Sequence, residues 1–343
     1  MRGRCRFASV VLMAALGVAG ALPAPALAQA DTKGEPRKLT VGAIAGLAVI
    51  NTFPLSVAFE RGYFKEENLD VEVITQSNIT SSCSSLITST IDIGQCTINE
   101  MIPIDQKGGH LVQFHGIYQF ANPYAVMVPS TITTWSQLKG KTVMLSAPKD
   151  ITVYFFEQMA KAHGLTPNDL TYAYSAASGA RLAALTRGAV EATVLSEPVR
   201  SLSQTQGMRE LDASLKYFPA KDFAGGGWIT STNWLASHRD VALAWIRATE
   251  KAVRWINDPG NKNDVLALMV TTYKLPNDGI ARQIYSNLIS AGFYSPTGCT
   301  NLQAFRGNVK MLVDMGLIAK APDNLAEFAP NTFVEEANGR RCR

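Results

Sequence analysis

Polar side chains in this sequence gather at one recurring place, just after short apolar runs that read as strands and just before segments that read as helices. In the first half these places hold Gly46 and Leu47 in a glycine-containing loop, then the polar Gln76, Ser77 and Asn78, and Thr97 and Asn99. In the second half they hold Ser146, Lys149, Asp150 and Thr152, the stretch Ser175–Ser178, and Glu197. Nearly all are small or neutral hydrogen-bonding residues, which suit recognition of a small molecule by donors, acceptors and backbone N–H groups at helix starts. Lys149 and Arg181 offer counter-charges for an anion; Asp150 and Glu197 would meet a cation. Asp150 also has the sequence position of a helix cap. Phe120, Tyr124 and Trp228 are available as an aromatic wall, or as packing near a chain crossover.

Catalytic and cofactor motifs were tested against the same residues. Gly140-Lys141-Thr142 ends like a phosphate-binding loop, but Trp135 stands where that motif needs glycine, and Lys141 opens a strand instead of following one. Gly-x-Ser-x-Gly, His-Glu-x-x-His and Gly-x-Gly-x-x-Gly are missing. Gly225-Gly226-Gly227 lacks a following helix and reads as a flexible connection. His110, His115, His163 and His238 do not cluster with cysteines. The expectation is therefore no metal, no cofactor and no enzyme.

Positioning elements follow from periodicity. Leu39–Ala45 reads as a strand, Asn51-Thr52 with Pro54 as a helix start, and Gly62 as its end. Strands at 70–74 and 91–96 flank a helix near 82–89. The same phrase returns as strands at 141–146, 170–174 and 191–196, with helices at 151–163 and 178–187. Alternation of this kind predicts an α/β chain whose sheets are mostly parallel and flanked by helices, in two similarly wound lobes. The remainder is mostly helical. Val241, Trp245, Ala248, Ala252 and Trp255 line one helix face, as do Leu302, Phe305, Val309 and Leu312, and both helices are expected to cover the first lobe.

Composition sets the setting. Arg2, Arg4 and Arg6, an apolar stretch to Leu22 and the small-residue triplets ending at Ala28 and Ala30 form an export signal over residues 1–30. An uncleaved anchor is the alternative, though the apolar stretch is short for a span. Removing those three arginines takes the formal charge from +4 to +1, leaving no basic footprint for nucleic acid. Four cysteines remain in an oxidising compartment, with three formal pairings. Cys83 opens a helix and Cys96 closes the next strand, which places them together in a βαβ unit. Cys299–Cys342 then follows by elimination; free buried thiols are the alternative.

The run from Pro54 to Phe64, then Glu67 to Val73, resembles the opening of the nitrate/sulfonate/taurine and thiamine-pyrimidine class of ABC-transporter substrate-binding proteins. Ile91–Gly94, Trp135–Val143, Gly188–Ala192 and Glu197-Pro198 agree in order and spacing. The resemblance implies a type 2 periplasmic-binding fold in which two crossover strands form a hinge, placed near 119–124 and 224–230. It divides the chain into residues 31–122 (first lobe), 123–227 (second lobe) and 228–343 (return to the first lobe with C-terminal helices). It implies a periplasmic, monomeric receptor that captures a small organic solute, anionic or aromatic, by hinge closure and delivers it to an inner-membrane ABC permease. A solute sensor feeding a membrane kinase is the alternative, and a pyrimidine-synthase-like enzyme a remoter one. Pro148-Lys149-Asp150-Ile151-Thr152 replaces the glycine–serine–threonine loop of sulfonate and nitrate members, so that specificity does not carry over.

Overall fold

The computed structural model describes residues 34–44, 49–120, 123–219 and 221–342. The export signal at 1–30 and the expected site residues Gly46 and Leu47 lie outside them. Residues 35–343 form one compact unit, built on two five-stranded sheets.

The first sheet contains β1 (Arg37–Ile44), β2 (Leu69–Gln76), β3 (Ile93–Gly94), β4 (Leu111–Gly116) and β10 (Gly227–Ser231), in the order β2-β1-β3-β10-β4. The second contains β5 (Ala125–Pro129), β6 (Thr142–Leu145), β7 (Thr171–Tyr174), β8 (Ala192–Leu195) and β9 (Met208–Ala213), in the order β7-β6-β8-β5-β9. The two orders correspond strand for strand. In each, three strands run parallel, with Val41 opposite Val73 in one and Val143 opposite Tyr172 in the other. A reversed strand then enters fourth: β10 is antiparallel to β3 and β4, and β5 is antiparallel to β8 and β9. The reversed strand is in both cases the first one formed after the chain crosses from the other sheet. The sheets are thus mixed, with four strands in one sense and one against them.

Helices α1 (Phe53–Glu60), α2 (Tyr63–Glu66), α3 (Ile79–Ile87) and α4 (Ile98–Asp105) belong to the first sheet, and α5 (Ile151–Ala162), α6 (Ser178–Thr186) and α7 (Val199–Thr205) to the second. After β10 come α8 (Thr232–Ser237), α9 (Arg239–Asn257), α10 (Lys262–Tyr273), α11 (Asp278–Ile284), α12 (Leu302–Asp314) and α13 (Thr332–Asn338). The apolar stripe of α9 packs on the first sheet as its 3.6-residue spacing requires: Trp245 is fully buried, stacked on Phe64 and edge-on to Trp228. The other stripe departs from expectation. Phe305, Val309 and Leu312 join the first-sheet core, but Met311 on the same helix is buried in the second-sheet core beside Phe223. Helix α12 therefore straddles both sheets, because its apolar surface is wider than one stripe.

The triple glycine is also not a flexible connection. Gly226 O accepts from the N–H groups of Ile117 (3.2 Å) and Tyr118 (3.1 Å). A Cβ on Gly225 would overlap the Tyr118 backbone, and one on Gly227 the His115 carbonyl oxygen. Residues 116–119 are bonded on their other side to 293–298, through Gln119 N–H to Phe293 O (2.8 Å) and Ser295 N–H to Ile117 O (2.7 Å). The outgoing and returning crossings thus lie side by side in one hydrogen-bonded strip, and glycine is required because two backbones meet there. Asn308 of α12 clamps the return, its amide accepting from Ala224 N–H (2.9 Å) and donating to Ala224 O (3.3 Å).

Candidate ligand cleft

Both cysteine pairs form as expected, Cys83–Cys96 and Cys299–Cys342, with Cα separations of 5.1 and 5.7 Å. Cys83 does not open its helix as expected: α3 begins four residues earlier at Ile79, so the first disulfide ties the middle of α3 to the stretch just after β3, and Cys96 sits in the wall of a cavity of about 110 Å³. The cavity is bounded by the strand-end residues Gln95, Thr97, Ile98 and Asn99 of the first sheet, by Ile79 at the start of α3, and by Ile151 at the start of α5 on the second. Asn51, Tyr118, Tyr124, Ala224, Gly226, Gly227 and Asn308 close it around the crossing strip. Parallel strands point their carboxyl ends toward helix N-termini, and two such edges face one another here.

Of the residues expected at the site, Thr97, Asn99 and Tyr124 line this cavity. The others spend their side chains on local structure. Asn78 caps α3 by accepting from Ser81 N–H (2.8 Å), with Ser77 hydrogen-bonded to Ser81. Gln76 is buried and accepts from Ser85. Asp150 caps α5, accepting from the N–H and hydroxyl of Thr152 at 2.7 Å each, while Thr152 also bonds Ser146. Lys149 is exposed in left-handed backbone and is not in the wall.

Three expectations are placed elsewhere. Glu197 is buried and holds Ser201 N–H and the Asn287 amide (2.7 Å), a tie from the second sheet to the helical return. Trp228 is buried in the first-sheet core, edge-on to Trp245, while Gly227 beside it on β10 lines the cavity. Arg181 donates to Val194 O, Ser175 O, Ala176 O and Ser178 Oγ. It buttresses the loops and leaves little for an anion.

Sequence reasoning missed Asn51, Gln95, Tyr118 and Asn308. Gln95 stands two residues before Thr97, where the stretch chosen after β3 begins, so a wider window on that strand end would have included it. Asn308 interrupts an apolar helical stripe, which is a legible oddity. Nothing in the local sequence marks Asn51 or Tyr118; they meet because the Tyr118 hydroxyl donates to the Asn51 carbonyl. Burial pushes the Tyr118 hydroxyl well above its ordinary pKa, against a hydrogen bond from Gln95.

Electrostatics add one more participant. Glu100, in the first turn of α4, accepts from the Thr97 hydroxyl. Burial first, and the charge of Asp150 second, push its carboxyl up to about 7 against bonds from the Glu100 and Thr97 N–H groups. Glu100 and Asp150 belong to helices whose first turns stand on opposite sides of the cavity.

Residues 49–261 match the NMT1/THI5-like family model. The chain belongs to this family. It is 26% identical over 216 residues to YtlA of Bacillus subtilis (strain 168), whose name describes it as a binding protein; the match covers 61% of this chain and 64% of that protein's length. Among solved structures, a Bordetella bronchiseptica RB50 protein superposes with a TM-score of 0.70 at 21% identity, over 89% of this chain and 98% of that one. The alkanesulfonate-binding protein SsuA of Xanthomonas axonopodis pv. citri, bound to MOPS, superposes with a TM-score of 0.67 at 16% identity, over 84% and 96%. The fold is that of the periplasmic binding proteins. Among the described residues, no helix is long and apolar enough to cross a membrane, and no group of three or more His, Cys, Asp or Glu is placed to hold a metal.

Proposed function

We propose that the protein is an extracytoplasmic solute receptor. Residues 1–30 direct export and are removed; the lobe of 31–122 and 228–343 and the lobe of 123–227 close on a small organic molecule; and the closed monomer presents it to an ABC permease in the inner membrane. The observation that carries this reading is the cavity itself, walled by strand-end residues of the first sheet and by Tyr124 and Ile151 of the second where the two crossings run together. Ile79, Ile98, Ile151 and Tyr124 would hold an apolar or aromatic body, and Asn51, Thr97 and Asn99 its polar end. Asp150 and Glu197 act on the cleft through the structure around it, the first by holding the α5 start and the second by tying the second sheet to Asn287.

A thermal-shift screen of the purified protein against amino acids, sulfonates, polyamines, pyrimidines and aromatic acids tests the reading. A true solute at 100 times its Kd adds about 2.7 kcal/mol of stability by mass action. The expected result is a saturable rise with one class, weakened by Asn99→Ala and Tyr124→Ala. No rise with any class, together with turnover of some compound, would replace the receptor reading by an enzymatic one.

A further inference from the structure

Resting on the receptor reading, we infer that the cleft recognises its solute by an uncharged carboxamide group, and that Asn51 and Asn99 read that group. The first ground is the hydrogen-bond inventory of the cavity wall. Four of its polar side chains are carboxamides: Asn51, Gln95, Asn99 and Asn308. Two of them are spent on the protein. Asn308 both accepts from and donates to the Ala224 backbone. Gln95 carries the Ile44 N–H on its oxygen (3.3 Å) and donates to the Tyr118 hydroxyl, which donates in turn to the Asn51 backbone carbonyl. The other two are open. Asn51 Oδ1 is buried with no donor, and among the described residues no hydrogen bond engages the Asn51 amide nitrogen or the Asn99 side chain. Each open carboxamide sets an acceptor beside two donors, so a solute answers both kinds only if it carries both. A carboxylate brings acceptors alone and leaves Asn51 Oδ1 stranded; an ammonium or amidinium brings donors alone and strands the amide N–H groups. A carboxamide pairs with either side chain through one N–H and one C=O.

The second ground is charge. Among the described residues no ionisable acid or base side chain other than the tyrosines lines the cavity, and the charged groups around it are answered inside the protein. Arg181 is buried outside the wall and donates to Val194 O, Ser175 O, Ala176 O and Ser178 Oγ. Burial disfavours its charge, while the nearby Tyr124 and Asp150 favour it. Asp150 is in turn held as the cap of α5 by the N–H and hydroxyl of Thr152. Glu100 takes the Thr97 hydroxyl, and burial first and Asp150 second push its carboxyl up to about 7, so near neutral pH it carries only part of a charge. Lys149 is exposed. One buried cation, one full carboxylate and one partial carboxylate leave little net field. A charged solute would shed its water here without meeting an unspent counter-ion. A carboxamide sheds less and regains its hydrogen bonds from Asn51 and Asn99, with Ile79, Ile98 and Ile151 around its apolar remainder.

The test is calorimetric titration at pH 7 with two planar isosteric series: butyramide, butyrate, butyramidine and methyl propyl ketone, then benzamide, benzoate, benzamidine and acetophenone. The amide of at least one series should bind ten-fold or more tighter than its carboxylate, its amidinium and its ketone, which lacks the donor. Asn51→Asp and Asn99→Asp exchange an amide for a carboxylate of the same shape. Each should lower the amide-to-amidinium affinity ratio ten-fold or more, and the part-exposed position of Asn99 lets that variant fold without burying a full charge. A carboxylate, amidinium or ketone that binds as tightly as its amide, or an unmoved ratio in a folded variant, would overturn the inference and leave the receptor reading standing. No binding in either series also overturns it, and the broad screen above then judges the receptor reading separately.

Discussion

The two sheets share one strand order yet are held together by different means. Both disulfides lie with the first sheet, joining α3 to β3 and the loop before α12 to the C-terminal tail. The second has no cysteine. In their place stands one buried carboxylate, Asp212 on β9, which accepts from Trp135 Nε1–H (3.2 Å), His163 Nε2 (3.1 Å), the Tyr217 hydroxyl (2.6 Å), Lys216 Nζ (2.8 Å) and the Ala213 N–H (2.9 Å). These donors come from α5, the loop before β6 and the segment after β9, so the hub gathers the far end of the second sheet. A covalent staple acts on the unfolded chain and is indifferent to acid; a carboxylate hub acts on the folded state and is not. One topology thus tolerates both solutions, because a sheet flanked by helices specifies where ends must be tied and not with what.

Breaking the staples should have the largest effect. The Cys299–Cys342 loop spans 43 residues and the Cys83–Cys96 loop 13, worth about 4 and about 3 kcal/mol respectively in the loop-entropy account. Cys299→Ser with Cys342→Ser should therefore lower urea stability more than Cys83→Ser with Cys96→Ser. In both, amide exchange should rise in β1–β4 before β5–β9. Equal loosening of both sheets would mean that the staples serve the whole unit.

Asp212→Ala comes next, at about 2 kcal/mol, since it leaves the buried Trp135 indole N–H and the partly buried Tyr217 hydroxyl and Ala213 N–H without their acceptor. Its signature is the mirror image, with exchange rising first in β5–β9.

Acid separates the regions without mutation. Burial raises the Asp212 carboxyl, but the bonds from Lys216, Tyr217, Ala213 and Trp135 outweigh it and hold it at about 2. A carboxyl depressed in the folded state stabilises fully above its unfolded value near 3.9 and loses that contribution as pH falls toward 2. The second sheet should therefore hold until about pH 4. In the first, burial alone lowers His115 to about 3. The unfolded chain takes up that proton near 6.5, so stability is lost from there downward. Glu100 runs the opposite way: its carboxyl, raised to about 7, favours the folded state at low pH and costs stability as pH rises from its unfolded value near 4.5 through 7. Exchange monitored from pH 7 to 3 should find β4, which carries His115, loosening before β9. Loosening of β9 first would contradict the assignment.

The smallest effect should be Lys216→Met, about 0.5 kcal/mol, because that ammonium is 64% exposed and its ion pair is screened. A loss comparable to Asp212→Ala would mean that the hub is mainly ionic.

Much of the framework was written locally. Alternating apolar runs and capped helices determined the repeated βαβ phrase, and the short helix-to-strand connection from α3 to β3 determined that Cys83 and Cys96 meet, since each signal spans fewer than twenty residues. The cleft was legible in part. Thr97, Asn99 and Tyr124 reach the cavity because strand ends and crossings are where ligands collect, whereas Asn78, Asp150 and Thr152 turned inward to satisfy helix N–H groups that the same loops expose. Both uses call for the same residue types, so sequence could not divide them. What only the tertiary structure decided were the meetings across distance: Asn51 with Tyr118, Asn308 with Ala224, Glu197 with Asn287, and Glu100 facing Asp150. Those pairs depend on how the crossings bring two sheets edge to edge, and no periodicity within either sheet carries that information.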